Sequence, residues 1–386
     1  MDILSALLFG LIFLLWAVQD GDPPAYTMAA LLPPLMLVSG FLLPRLFGAD
    51  PLLLSLLHFT LGLDAMLCFR TAPESLPSLA CCCAGALIAF LLAGLLSRRT
   101  PEQPLFPLVL GLLSLMLFAA PLFRLPLSFR LSDLALPMIL PVLAFFLSRR
   151  HRLETLFFLL ASLALLLLSG DGFTAAALAA TGLLLLWSEG GGMGMFLLGA
   201  VVLAGFGVIA GSLLPAFAPE RWVWQSPDTL AALSNIDLFG TGISPDNWLP
   251  LSSALEAELA DPLQPLSNPV WALVQLWQHF GALFGVCLLL LFSALTLRAG
   301  SASSRARNGF QRLLAIGAGV FLSLRALIAW AACFGLLPLP AFSFPLLSSD
   351  PAQLAAEGAL MGLVSGVLSR TRTDLEEDVH LAMLKK

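Results

Sequence analysis

Four ionisable side chains stand inside or at the edge of apolar runs, where each is costly and is by default a pointer to function. Asp64 lies in SLLHFTLGLDAMLCF, Arg325 in SLRALIAW and Glu357 in QLAAEGALMGL, while Asp171 closes an apolar run in LLSGDGFTAAA. A carboxylate in such a place can take a proton, and a guanidinium fork matches phosphate oxygens. The same residues also fit plainer roles. Arg325 with Glu357 or Asp64 would be an ion pair between helices, and Asp171, flanked by Gly170 and Gly172, a turn. A second cluster is RLPLSFRLSDLALP, residues 124–137, with Arg124, Arg130, Ser132 and Asp133. Two arginines there suit a phosphate-bearing ligand, or they snorkel to an interface while Asp133 caps the following helix. The histidines (His58, His151, His279, His380) have no ligand spacing. The cysteines (Cys68, Cys81, Cys82, Cys83, Cys287, Cys333) all sit in apolar runs. Neither set reads as a metal site or a disulfide framework.

The elements that must position these groups follow from composition. Of 386 residues, 59% are hydrophobic and 11% charged, and the mean hydropathy is +0.94. A soluble domain is about 45–50% apolar and about 25% charged, so a soluble globule is excluded. The chain reads as an all-α, polytopic integral membrane protein with about 10–12 transmembrane helices. A net charge of −5 with dispersed basic residues leaves no nucleic-acid footprint. Twelve candidate spans cover approximately 3–18, 27–47, 51–69, 76–96, 105–123, 133–148, 153–169, 172–187, 193–214, 270–297, 310–337 and 352–369. The N-terminus, with Asp2 and no basic stretch, does not read as a cleavable signal peptide.

Cytoplasmic loops are enriched in Lys and Arg. With the N-terminus inside, 14 of the 19 basic residues fall in inner loops and the tail, and Arg70, Arg124, Arg130 and Arg221 fall outside. Both termini are therefore expected in the cytoplasm. The one long polar connection, 215–269, falls outside; it holds Glu220, Asp228, Asp237, Asp246, Glu256, Glu258 and Asp261. Trp222, Trp224 and Trp248 suit the membrane interface, and Leu251–Ala260 reads as a short helix. Loops longer than about 12–15 residues are commonly functional, and this one is expected to cap the outer face. The tail has Thr373 as a possible N-cap before Asp374. The expected divisions are 1–128, N-terminal helices; 129–214, central helices; 215–269, the extracytoplasmic loop; 270–369, C-terminal helices; and 370–386, a cytoplasmic tail.

Several stretches, in order, resemble the SEDS family, the FtsW/RodA/SpoVE membrane proteins of cell division and cell shape. FRLSDLALPMILPVLAFFLSRR, 129–150, resembles the family's FQPSELAK helix, and LLSGDGFTAAAL, 167–178, its PDLGTA motif, matching at Asp171 and Thr174. LFGTGI at 238–243 and WLP at 248–250 are similar to the glycine turn and LPE of its outer loop, and 275–292 to the helix after that loop. FLSLRALIAWAACFGLLPLPAFSFPLLSS, 321–349, resembles its penultimate helix, GLLP turn and LPFxS motif. The N-terminal third has two more candidate spans than the family pattern.

The resemblance implies a glycosyltransferase-like membrane fold in the bacterial cytoplasmic membrane. Such proteins build peptidoglycan glycan strands from lipid II, an undecaprenyl-linked substrate, usually with a class B penicillin-binding protein. For an active member, outer-side placement and charge point to Asp261 as the catalytic base, with Arg130 and Arg325 as diphosphate contacts. Asp133, Asp171, Thr174 and Ser348 would complete the substrate groove, with a divalent cation as a candidate aid to the leaving group. The chemical positions depart from the pattern. The family's loop Asp aligns with Val270, its helix Lys with Leu136, the Gln and Asn of its penultimate helix with Arg325 and Ala329, and its SYGG glycines with Asp350 and Pro351. Retained and lost catalysis are both open on this reading. An O-antigen ligase or polymerase shares the plan of many spans and one long loop, and a non-catalytic scaffold for a cell-wall synthase is the alternative from another class; a transporter is a weaker fourth.

Overall fold

The computed structural model describes residues 2–21, 23–71, 76–99, 101, 103–123, 130–189, 270–348 and 350–384, with isolated positions between 197 and 240. These residues form helices and no strand. In chain order they are α1 (Asp2–Asp20), α2 (Pro23–Phe47), α3 (Pro51–Thr71), α4 (Leu76–Ser97), α5 (Leu105–Ala119), α6 (Leu131–Ser148), α7 (Arg152–Leu168), α8 (Gly172–Ser188), α9 (Trp271–Arg305), α10 (Gly309–Cys333) and α11 (Pro351–Leu384). Eleven of the twelve expected spans are thus helices, and 193–214 lies outside the described residues apart from three helical positions. Nine of the eleven are long and apolar enough to cross a membrane by themselves, while α7 and α8 have 17 residues each. Within a bilayer no water satisfies backbone groups, so long apolar runs fold as helices that close their own hydrogen bonds.

Two boundaries differ from expectation. The helix α10 stops at Cys333, because Gly335 takes a left-handed conformation (φ 67°) and the Leu336 and Gly335 N–H groups bond back to Ala331 and Ala332. The last helix does not end at the membrane but runs unbroken to Leu384. Thr373 is therefore inside α11 rather than an N-cap. No glycine or proline interrupts 370–384, so nothing stops propagation.

The tightest packing is between α4 and α11. Gly358, Gly362 and Gly366 form a stripe four residues apart, and the neighbouring backbone lies where their side chains would be. A Cβ on Gly358 would stand 2.5 Å from the Ala86 carbonyl oxygen; one on Gly362 would press still closer to Phe90, and one on Gly366 to Gly94. Small residues at such spacing let two helices approach to backbone contact, where dispersion replaces the hydrophobic drive that lipid does not supply.

One end of the bundle collects the basic loops. Arg298 meets Asp50 at 2.6 Å, Arg312 meets Glu189 at 3.1 Å, and Arg98 donates to the Phe47 carbonyl. Gln311 donates to the Arg98 carbonyl at 3.2 Å. The loops whose arginines were expected on one side of the membrane therefore meet in space. The hairpin of α1 and α2 is tied to α3 through His58, whose Nδ1 lies 3.3 Å from Asp2 Oδ1 and whose Nε2 lies 2.9 Å from Ser39 Oγ. Beyond it, Trp16 stacks on Phe69 at 5.9 Å.

The α4–α11 seam yields a test. Gly362→Leu forces the two backbones apart and lowers stability by about 1–3 kcal/mol, read as a fall in the unfolding midpoint in detergent. Gly85→Ala, on α4 but facing open space, leaves that midpoint unchanged.

Candidate functional site

At the end opposite Arg149, the first turns of α6, α8 and α11 and the segment joining α10 to α11 converge. That segment, 334–350, folds back into the bundle: Phe342, Phe344, Leu346 and Leu347 are all buried. A buried irregular segment must satisfy its backbone groups, and two α11 side chains do so. Gln353 accepts from the Ser343 N–H at 3.3 Å and donates to the Ser343 carbonyl at 3.1 Å. Glu357 accepts from the Leu346 N–H at 2.6 Å. Leu346 is held at φ 62°, a conformation a leucine rarely takes, so the surrounding contacts over-determine it. Gln353 and Glu357 are one helical turn apart and bonded to each other at 2.9 Å.

Arg325, from the middle of α10, is fully buried in this layer. Its Nη1 lies 3.3 Å from Asp133 Oδ1 and 3.5 Å from Glu357 Oε1, and its guanidinium carbon lies 4.2 Å from the Phe342 ring centre. These are ion-pair distances; the guanidinium N–H groups meet no hydrogen-bond geometry among the described residues. Of the two partners left open by the sequence, the pairing is with Glu357 and with Asp133, not with Asp64. Asp64, on α3, takes a backbone N–H from Ser348 and leaves Oδ2 without a partner among the described residues.

Arg130 is the second cation, and about a third of its side chain is exposed. It precedes α6 as the N-cap residue and ties three elements together. Its Nη2 lies 2.9 Å from Asp171 Oδ2, its Nη1 donates to the Ala341 carbonyl, and its backbone N–H donates to Asp350 Oδ2 at 3.0 Å. Burial pulls its pKa down, but Asp171, Asp133 and Asp350 outweigh that and hold it above the ordinary arginine value. Asp171 takes the turn role that the sequence offered and is also the partner of Arg130. Gly170 (φ 85°) closes α7, and Asp171 Oδ1 then accepts from the Thr174 N–H at 3.1 Å to cap α8. Ser348 Oγ donates to Gln353 at 3.3 Å and accepts from the Asp350 N–H at 3.1 Å.

Arg130, Asp133, Asp171, Thr174, Arg325 and Ser348 thus come together in one layer, although they span more than half the chain. Asp261 lies outside the described residues, as does most of 215–269. The part of the glycine turn that is described, 238–240, rests on a break in α9. Gly281 leaves helical geometry (φ 82°, ψ 176°), Gly240 packs against its N–H, and the Leu283 N–H donates to the Leu238 carbonyl at 3.2 Å. Sequence reading missed Gln353 and Asp350 as members of the layer. Asp350 was legible: an Asp before a Pro marks a helix start, and its Oδ1 accepts from the Ala352 N–H at 2.8 Å. Leu136, Ala329 and Val270 are all buried among apolar neighbours. The cation beside Asp133 comes from α10, not from a residue one turn further along α6. No group of three or more potential metal ligands is present among the described residues.

The ion layer predicts a coupling. Arg325→Gln strands two buried carboxylates and lowers stability by about 3–5 kcal/mol. A double-mutant cycle with Glu357→Gln then shows an interaction of about 0.5–3 kcal/mol, whereas strict additivity of the two unfolding shifts in detergent would mean that they share no energy.

The family model for FtsW, RodA and SpoVE, described as cell cycle protein, matches residues 274–373. A curated relative, a probable peptidoglycan glycosyltransferase FtsW of Halorhodospira halophila, is 28% identical over 211 residues. The chain spans about half the length of that relative, 52%, and the same share of this chain is matched. Among solved structures, the rod shape determining protein RodA of Thermus thermophilus has 20% identity and a TM-score of 0.56, covering 84% of this chain and 98% of that one. A chain from a peptidoglycan synthase complex that coordinates polymerization and crosslinking has 21% identity and a TM-score of 0.57, covering 83% and 97%. The fold is therefore that of RodA, and the family match falls on α9, α10 and the first part of α11, the last two of which carry Arg325 and Glu357 of the ion layer.

Proposed function

We propose that this protein extends peptidoglycan glycan strands from lipid II at the outer face of the bacterial cytoplasmic membrane, with both of its termini in the cytoplasm. The observation that carries this reading is Arg130: a partly exposed guanidinium, held by Asp171 and the Ala341 carbonyl at the mouth of the ion layer. A fixed, partly desolvated cation suits the charge that develops on a departing diphosphate. Asp261, from the long outer loop, serves as base for the acceptor hydroxyl. Arg325 has no exposed surface, so its part is to position Asp133 and the 334–350 segment rather than to touch the substrate. Thr174 and Ser348 line the same end of the bundle. A class B penicillin-binding protein is the proposed partner, by likeness to the peptidoglycan synthase complex whose fold the chain shares.

One set of observations favours a second reading, a catalytically degenerate member that acts as a scaffold for another synthase. Leu136, Ala329 and Val270 are apolar and buried at the positions where the family pattern places a lysine, an asparagine and an aspartate.

Purified protein with its partner, given lipid II, separates the two. Under the first reading wild type yields lengthened glycan, Asp261→Ala abolishes it, and Arg130→Ala lowers the rate roughly 10²-fold with Arg130→Lys recovering part. Absence of glycan from folded wild type, with Asp261→Ala rescuing a deletion strain, would establish the scaffold instead.

A further inference from the structure

Arg130 is fixed twice, by different parts of itself. Its guanidinium is held by Asp171 and the Ala341 carbonyl. Its main chain is held by Asp350, 220 residues away, whose Oδ2 accepts from the Arg130 N–H at 3.0 Å. Arg130 is the N-cap residue of α6, extended at φ −91° and ψ 95°, and its side chain makes no capping bond. The N–H groups at a helix start have no partner within the helix, so this one is satisfied only from α11. The carbonyl of the same residue accepts from the Asp133 N–H at 3.1 Å. A displaced Arg130 backbone would therefore carry Asp133 with it.

Asp350 is anchored in its turn. It precedes Pro351 at the start of α11, and its Oδ1 accepts from the Ala352 N–H at 2.8 Å. Its carbonyl accepts from the Leu354 N–H at 3.1 Å, and its own N–H donates to Ser348 Oγ at 3.1 Å. One carboxylate thus caps α11 with one oxygen and holds the start of α6 with the other. Asp171 is used in the same way: one oxygen caps α8 and the other meets the guanidinium. Both oxygens of Asp350 are engaged by N–H groups of the protein, and such charge-assisted bonds are roughly twice as strong as neutral ones.

We propose that Asp350 is a positioning residue: by holding the Arg130 backbone it sets the guanidinium where the phosphate of a substrate meets it, without touching that substrate. The inference rests on the glycan-synthesis reading for what the substrate is. A guanidinium at the end of a long side chain reaches one fixed point only if its main chain is fixed. Displacing a group that acts on charge developing in the transition state costs rate rather than substrate binding.

Asp350→Asn separates the two tasks of this carboxylate. Asparagine caps a helix as well as aspartate does, but its Nδ2 sets a donor against the Arg130 N–H. With lipid II and the partner protein, D350N lowers kcat roughly tenfold and leaves KM unchanged, while its unfolding midpoint in detergent stays that of wild type. D350A, with no acceptor at all, shows the same kinetic loss and a lower midpoint. Neither change has a further effect in the Arg130→Ala background. Hydrogen exchange at the Arg130 amide, slow in wild type, becomes fast in the variants. Full rate in a variant whose amide is freed, an amide that stays slow in both, or losses that multiply with that of Arg130→Ala would overturn the proposal. Absence of glycan from folded wild type sinks the glycan-synthesis reading instead, and Asp350 is then judged by retention of geranylgeranyl diphosphate in native mass spectrometry. Weaker retention by D350N than by wild type, with no such difference in the Arg130→Ala background, supports the positioning role, and equal retention overturns it.

Discussion

A buried guanidinium between two carboxylates is the constraint around which the C-terminal half is arranged. Arg325 reaches Asp133 on α6 and Glu357 on α11 from a position with no exposed surface. A charge at that depth costs several kcal/mol unless paired, so α6, α10 and α11 cannot shift apart without exposing one. The layer is specific rather than adhesive: its Coulombic gain is largely spent on desolvation, and what remains is a strong preference for one arrangement. Phe342 closes the layer by laying its ring against the guanidinium.

The 334–350 segment shows how that arrangement shapes the site. Its prolines and left-handed Leu346 rule out a helix, yet it lies inside the bundle. Gln353 and Glu357 supply the partners its backbone would otherwise find in water. Glu357 therefore has two tasks, meeting Arg325 with one oxygen and the Leu346 N–H with the other. The same segment brings the Ala341 carbonyl and, at its end, Asp350 to Arg130, so the inner ion layer and the exposed cation at its mouth are parts of one structure. The glycine stripe of α11 holds the far side of that helix against α4 at a separation no larger residue permits, which keeps Gln353 and Glu357 aimed at the segment.

Much of this was legible from residue order. Apolar runs of membrane length marked eleven helices now described, the arginine distribution marked which loops meet, and motif order marked a likeness whose fold the solved RodA structure shares. Membrane insertion makes those signals strong, because a lipid-exposed backbone has few folds open to it and a charge few places to lie. Less was legible at the ends. The continuation of α11 to Leu384 was missed because a charged stretch reads as a tail whether or not it is helical. Asp350 reads first as a departure from the family's SYGG motif, and the cap bond it makes shows only in the structure.

By itself the sequence determined that the chain is a helical membrane protein with charges placed where lipid should be. Composition and periodicity are local properties, and local properties decide insertion and helix formation. Only the tertiary structure decided which groups meet: Arg325 with Asp133 and Glu357, the Arg130 guanidinium with Asp171, and the Arg130 N–H with Asp350, partners separated by up to 220 residues. Such pairings depend on the crossing of helices and on glycine contacts that set their spacing, and neither is written in any one segment.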